Sequence, residues 1–185
     1  MNATVLVGLI LAATSAAAQE TEAKKPPIVI ETATAPGASL RYLTIPWGPA
    51  TFADMETGGE SFYAKRTWPF AELETKAPLS LEGTKVPAGN YALVFHPNTP
   101  DKQGMSLEVR RIAVPEFLQP GNVMTRTPEG ETVAKVKVLF ETTGETEPSL
   151  KVGLEPGKEG LSLVVRYGNR KLVKELQAAG TAARP

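Results

Sequence analysis

The chain has 185 residues, with 20 basic side chains balanced by 20 acidic ones, a single histidine and no cysteine. This balance excludes the basic footprint of a nucleic-acid binder and the polybasic patch of a membrane-surface protein. One histidine and no thiolate leave too few donors for a zinc centre of the usual kind, so neither a metal nor a cofactor is expected.

The first eighteen residues, "MNATVLVGLILAATSAAA", contain no charged side chain and carry one apolar run, Val5 to Ala13, ahead of Ala16-Ala17-Ala18. A short apolar run followed by a small-residue site reads as a signal peptide, here residues 1–18 with a cut before Gln19. The run is too short to cross a bilayer core of about 30 Å as a helix. The expected location is therefore periplasmic or secreted, with no membrane span after cleavage. Residues 19–27 are polar and end in two prolines, which suits a flexible lead-in. Residues 28–178 read as a single domain and residues 179–185 as a disordered tail.

From Ile28 onward, short runs of period-two alternation recur between Gly, Pro and Asn clusters, and no long stretch has helical spacing. The predicted fold is all-β, an antiparallel β-sandwich of roughly 8–10 strands with one face of each strand turned inward.

Next comes "TFADMETGGES", where Asp54, Glu56 and Glu60 stand in a glycine-bearing stretch read as a loop. A glycosidase needs two carboxyl groups flanking the bond it cleaves, and these three are the candidates for it. The plainer reading is a solvated turn.

Trp47, Phe52, Phe62, Tyr63, Trp68 and Phe70 fall within 24 positions. Exposed rings give flat contact surfaces of low entropy cost for sugar faces or partner proteins, so Trp47, Tyr63 and Trp68 are the candidate ligand-binding residues. Tryptophan also fills sandwich cores, and that alternative applies most directly to Trp68.

In "KVPAGNYALVFHP", residues 85–97, Pro87 sets φ for a turn and Gly89 completes it. Tyr91, Leu93 and Phe95 then alternate against Ala92, Val94 and His96, and Pro97 closes the strand. His96 has no G-x-S-x-G partner elsewhere in the chain, so it reads as a polar strand-end residue rather than a catalytic base. Between Val114 and Gly130 three prolines interrupt regular structure, which predicts a long loop.

The C-terminal part alternates clearly. Val136, Val138 and Phe140 share one face, as do Leu150, Val152 and Leu154, and then Leu161, Leu163, Val165 and Tyr167. "EPGKEG" and Gly168-Asn169 serve as hairpin connectors, the second as a two-residue loop. Residues 132–176 are thus expected to form a four-stranded meander ending in "RKLVKELQAA" as a strand.

"GTKVPAGNYALVFHP", with "LRYLTIPWGPATF" upstream and "LSLVVRYGNRKLVKEL" at the end, resembles the bacterial domain-of-unknown-function family 2911. That resemblance implies an exported, β-rich domain and no particular activity. The family's tryptophan-arginine-threonine-glycine-alanine-asparagine block has no counterpart in "ADMETGGESFYAKRTWPFAELET", so its polar surface does not transfer to this chain. The functional expectation is a non-catalytic binding or accessory module of the cell envelope, whose partner is a glycan or a protein. The alternative is a small glycan-acting hydrolase that uses the carboxylates of residues 54–60.

Overall fold

The structure is a computed structural model that describes residues 26–57, 67–97, 105–113, 118 and 129–178. In chain order its elements begin with β1 (Ile30–Ala35), β2 (Ala38–Leu43), the helix α1 (Pro49–Thr57), β3 (Trp68–Thr75) and β4 (Leu79–Leu81). They continue with β5 (Thr84–Val86), β6 (Gly89–Pro97), β7 (Met105–Arg111), β8 (Thr132–Val138), β9 (Glu141–Pro156) and β10 (Gly160–Ala178).

The strands form two antiparallel sheets, one in the order β1-β2-β3-β6-β7-β8 and the other in the order β5-β4-β10-β9. The all-β sandwich expected from the alternation is what the chain forms. Leu40, Leu73, Tyr91, Leu93, Phe95, Leu107 and Val136 come inward from the larger sheet, and Leu81, Leu150, Val152, Leu163 and Val165 meet them from the smaller one. Each such side chain contributes about 1.5–3 kcal/mol by leaving water, and this burial offsets the cost of ordering the strands. Between Leu73, Leu93, Leu107 and Leu163 about 10 Å³ stays unfilled, too little there for anything larger than a water molecule.

The turn of "KVPAGNYALVFHP" is closed by its own tyrosine. The Tyr91 hydroxyl donates to the Pro87 carbonyl at 2.6 Å, while the ring enters the core. Gly89 has φ +153°, and a Cβ there would already touch the Tyr91 ring. The strand that follows alternates as the sequence predicts, with Tyr91, Leu93 and Phe95 in the main core and Ala92 and Val94 on the opposite face.

Two expectations need correction. Residues 132–176 do not form one meander, because β8 pairs with β7 in the larger sheet. Its alternation is the same whichever neighbour it takes, so the pattern alone does not choose a sheet. The chain crosses between the sheets at Leu139-Phe140, where Leu139 is exposed and the Phe140 ring lies against Phe52 and Phe95. The second correction is α1, which forms where a loop was expected. Its start follows from Pro49, whose fixed φ and missing N–H suit the first helical position. Phe52 and Met55, three apart, anchor one side of the helix in the core.

The Gly168-Asn169 turn does form, within β10 itself. Ser162 Oγ donates to Glu175 Oε1 at 3.0 Å, and a Cβ on Gly160 would lie 2.8 Å from the Leu176 carbonyl oxygen. Nineteen residues of straight strand would hold those ends about 60 Å apart. The strand therefore doubles back, with its first arm along β9 and its second arm reaching β4 through Leu176 to Ala178. Gly168 has φ +59°, as the first central position of a two-residue hairpin loop requires. Among the described residues no helix is long and apolar enough to cross a membrane.

Candidate functional site

Of the aromatic residues singled out in the sequence, Trp47, Phe52, Trp68 and Phe70 are among those described, and they join one cluster of rings with Phe95, Phe140 and Tyr167. Trp68, only 6% exposed on β3, lies 5.4 Å from Tyr167 and 6.1 Å from Phe95. As a ligand platform it is corrected to a core residue, because the inward alternation of β3 turns its ring between the sheets. Its indole N–H has no hydrogen-bond partner among the described residues.

Trp47 is half-buried in the stretch that follows β2. The backbone of this stretch is tied to β9: the Trp47 N–H donates to the Pro148 carbonyl at 2.9 Å, and the Leu150 N–H donates to the Ile45 carbonyl at 2.8 Å. The Trp47 ring meets Tyr167 edge-on at 4.7 Å, and Tyr167 in turn donates its hydroxyl to the Pro46 carbonyl at 2.8 Å. Burial pushes the Tyr167 phenol up to about 12, so it stays a donor at every physiological pH. Tyr63 lies outside the described residues, as does Glu60.

The carboxylates of α1 do not pair. Asp54 and Glu56 are two apart on a helix, and such positions do not face each other. Glu56 instead accepts from Arg170 at 3.5 Å, while the guanidinium of Arg170 sits 5.6 Å above the Phe52 ring. That contact gives α1 a role in holding β10.

A second polar cluster lies on the outer face of the larger sheet. Glu72 is buried there and takes Arg41 at 2.9 Å and the Leu118 N–H at 3.1 Å. Glu108, also buried, receives Lys135 at 2.8 Å and Arg110 at 3.0 Å. Burial works to raise the Glu108 carboxyl, but these two donors outweigh it and hold it below the usual range. His96 stands opposite Ser106 in this face, and the Ser106 hydroxyl points to the His96 backbone carbonyl at 3.5 Å. Serine directed at a carbonyl is not a nucleophile held by a base. This face is a structural ion-pair network, and His96 belongs to its edge.

One further feature of the described residues was not visible in the sequence. It is a cleft of about 460 Å³ on the smaller sheet, between the β9 bend and the β10 turn, lined by Thr143, Glu145, Glu147, Arg166, Arg170 and Lys171. Its size falls in the usual range for small-ligand sites, about 300–1,000 Å³. The floor is strand backbone, where β9 and β10 lose register on either side of Gly168. Two of its cations are braced from outside the cleft, Arg166 by Glu155 at 2.9 Å and Arg170 by Glu56. Bracing limits rotamer freedom and fixes where the donors point. The clue in the sequence was the pair of polar turns, "TTGETE" and "YGNRK", but nothing in either says that they meet.

Among the described residues no group of His, Asp or Glu is placed to hold a metal ion. No protein-family model matches the chain, and neither the curated proteins nor the solved structures give a match.

Proposed function

We propose that this protein is an exported, non-catalytic binding module of the cell envelope, a divergent relative of the domain-of-unknown-function family 2911. Its ligand, on this reading, is a hydroxyl-rich envelope glycan that sits in the cleft between the β9 bend and the β10 turn. The observation that carries the reading is the cleft itself, which has fixed donors from Arg166 and Arg170 and acceptors from Glu145 and Glu147 on a strand-built floor. A polyol needs donors and acceptors side by side, and sites built on strands hold them more precisely than loops do. The apolar start of the chain and its small-residue cut site support export.

The hydrolase alternative loses ground because Glu56 is engaged by Arg170 and because Asp54 and Glu56 diverge on α1. The reading is tested by a thermal-shift screen of the protein, recovered from a secreting host, against fragments of envelope glycans. A ligand of the native state raises the melting temperature with its concentration. A shift in the wild type that disappears in Arg166→Gln supports the cleft. A shift that survives every substitution in the cleft places the ligand elsewhere and overturns the assignment.

A further inference from the structure

The charges on the floor of the cleft are not arranged as a neutral sugar alone would need. Arg166 is paired with Lys151 across β9 and β10. The fold-back of β10 sets Ser162 against Glu175, and the same register carried to the turn sets Arg166 against Lys171. Lys151, Arg166 and Lys171 thus form one row of cations across three adjacent strand segments, on the face that looks away from the core.

Like charges directly opposite each other destabilise a sheet. Lys151 is relieved by Glu31 at 3.3 Å and Arg166 by Glu155. Lys171 stands at the cleft end of the row, opposite Glu141 in the β9–β10 register, and no ion pair within 4.0 Å engages it among the described residues. Arg170 adds a fourth cation beside it. The carboxylates of Glu145 and Glu147 come from the β9 bend, and the cations of the cleft come from β10.

Building on the proposed glycan reading, we infer that the cleft takes an acidic glycan, whose carboxylate lies between Arg166 and Lys171 while its hydroxyls meet Glu145, Glu147 and Thr143. The planar guanidinium of Arg166, already oriented by Glu155, suits a two-pronged hydrogen bond to a carboxylate. Lys171 supplies the second charge without having to leave another partner.

The test titrates the wild type with alginate oligosaccharides, with neutral dextran oligosaccharides and with sodium sulfate, each at low and high salt. The inference predicts binding of alginate that weakens with salt, and at least a tenfold loss of affinity in Arg166→Gln and in Lys171→Gln. A second readout separates ligand recognition from folding. Lys171→Gln is expected to melt close to the unliganded wild type, because it removes a like-charge neighbour, Arg166, together with an opposite-charge one, Glu141. Equal binding of dextran and alginate, unaffected by salt and by Lys171→Gln, would overturn the acidic ligand and leave the glycan module standing. Binding of none of the oligosaccharides would overturn both. Sulfate that matches alginate in affinity would mean that a bare anion suffices, which contradicts recognition of a glycan.

Discussion

The indole ring of Trp47 lies against Gly168 so closely that a Cβ on the glycine would fall 2.2 Å from two of its ring atoms. This contact explains two features together. Trp47 is held in place by a missing side chain, and the β10 turn is pinned to the stretch that links β2 with α1. Gly168 is thus fixed twice, by its φ of +59° and by the ring above it.

Gly168→Ala is therefore expected to destabilise the protein by about 2–4 kcal/mol, through backbone strain and overpacking together. The double variant with Trp47→Ala should recover part of this loss, because it removes the clash and leaves the strain. Urea denaturation of the two single variants and the double variant measures the coupling. Strict additivity would contradict the contact.

Tyr91→Phe keeps the buried ring and removes only the hydroxyl that donates to the Pro87 carbonyl. The expected loss is about 1–2 kcal/mol, the usual worth of a hydrogen bond whose acceptor stays poorly hydrated. Chemical denaturation again provides the measurement, and an unchanged midpoint would remove the hydroxyl as the closure of this turn.

Acid should unfold the protein partly through two carboxylates. Glu31 is held below its usual range first by the hydrogen bond that Tyr42 donates at 2.5 Å, and Glu108 by Lys135 and Arg110 acting against its burial. A carboxylate with a lowered folded pKa adds stability above its unfolded value, about 4.3 for Glu, and that stability is lost as pH falls through the folded pKa. Stability measured between pH 7 and pH 3 should therefore fall less steeply both in Glu108→Gln and in Tyr42→Phe, since each removes a lowered folded pKa. Curves parallel to the wild type in both variants would remove these groups from the acid response.

The two tryptophans should differ in solution. Trp68 is buried and Trp47 half-buried. Trp47→Phe, which leaves only Trp68, should give blue-shifted emission that acrylamide quenches weakly, and Trp68→Phe should leave the more easily quenched ring. Similar quenching in both would contradict the placement of Trp68 in the core.

How much of this was legible in the sequence depended on periodicity. Strands such as Leu150 to Leu154 and Tyr91 to Phe95 state their buried face in the order of their residues, and both faces came out as read. The partner of a strand is not stated in that way. Val136 and Val138 would be buried in either sheet, and only the three-dimensional path through Leu139-Phe140 places them beside β7. The same gap explains the site. Trp68 sits inward on β3 and the half-buried Trp47 packs on Tyr167, so the crowding of rings marked the end of the core. The cleft is made by charged residues separated by some twenty positions, which become neighbours through the antiparallel pairing of β9 with β10 and its loss of register around Gly168.

Export has its own check. Protein recovered from a secreting host should begin at Gln19 when its N-terminus is sequenced, and a product that retains residues 1–18 would count against the processed form.

The most direct test of the central claim is an amide chemical-shift map of the isotope-labelled protein, titrated with a mixture of acidic and neutral glycan fragments. The account predicts that the perturbed amides cluster at residues 143–147 and 166–171, around the β9 bend and the β10 turn. Shifts confined to the outer face of the larger sheet, around His96, Glu108 and Lys135, or no shifts with any fragment, would contradict it.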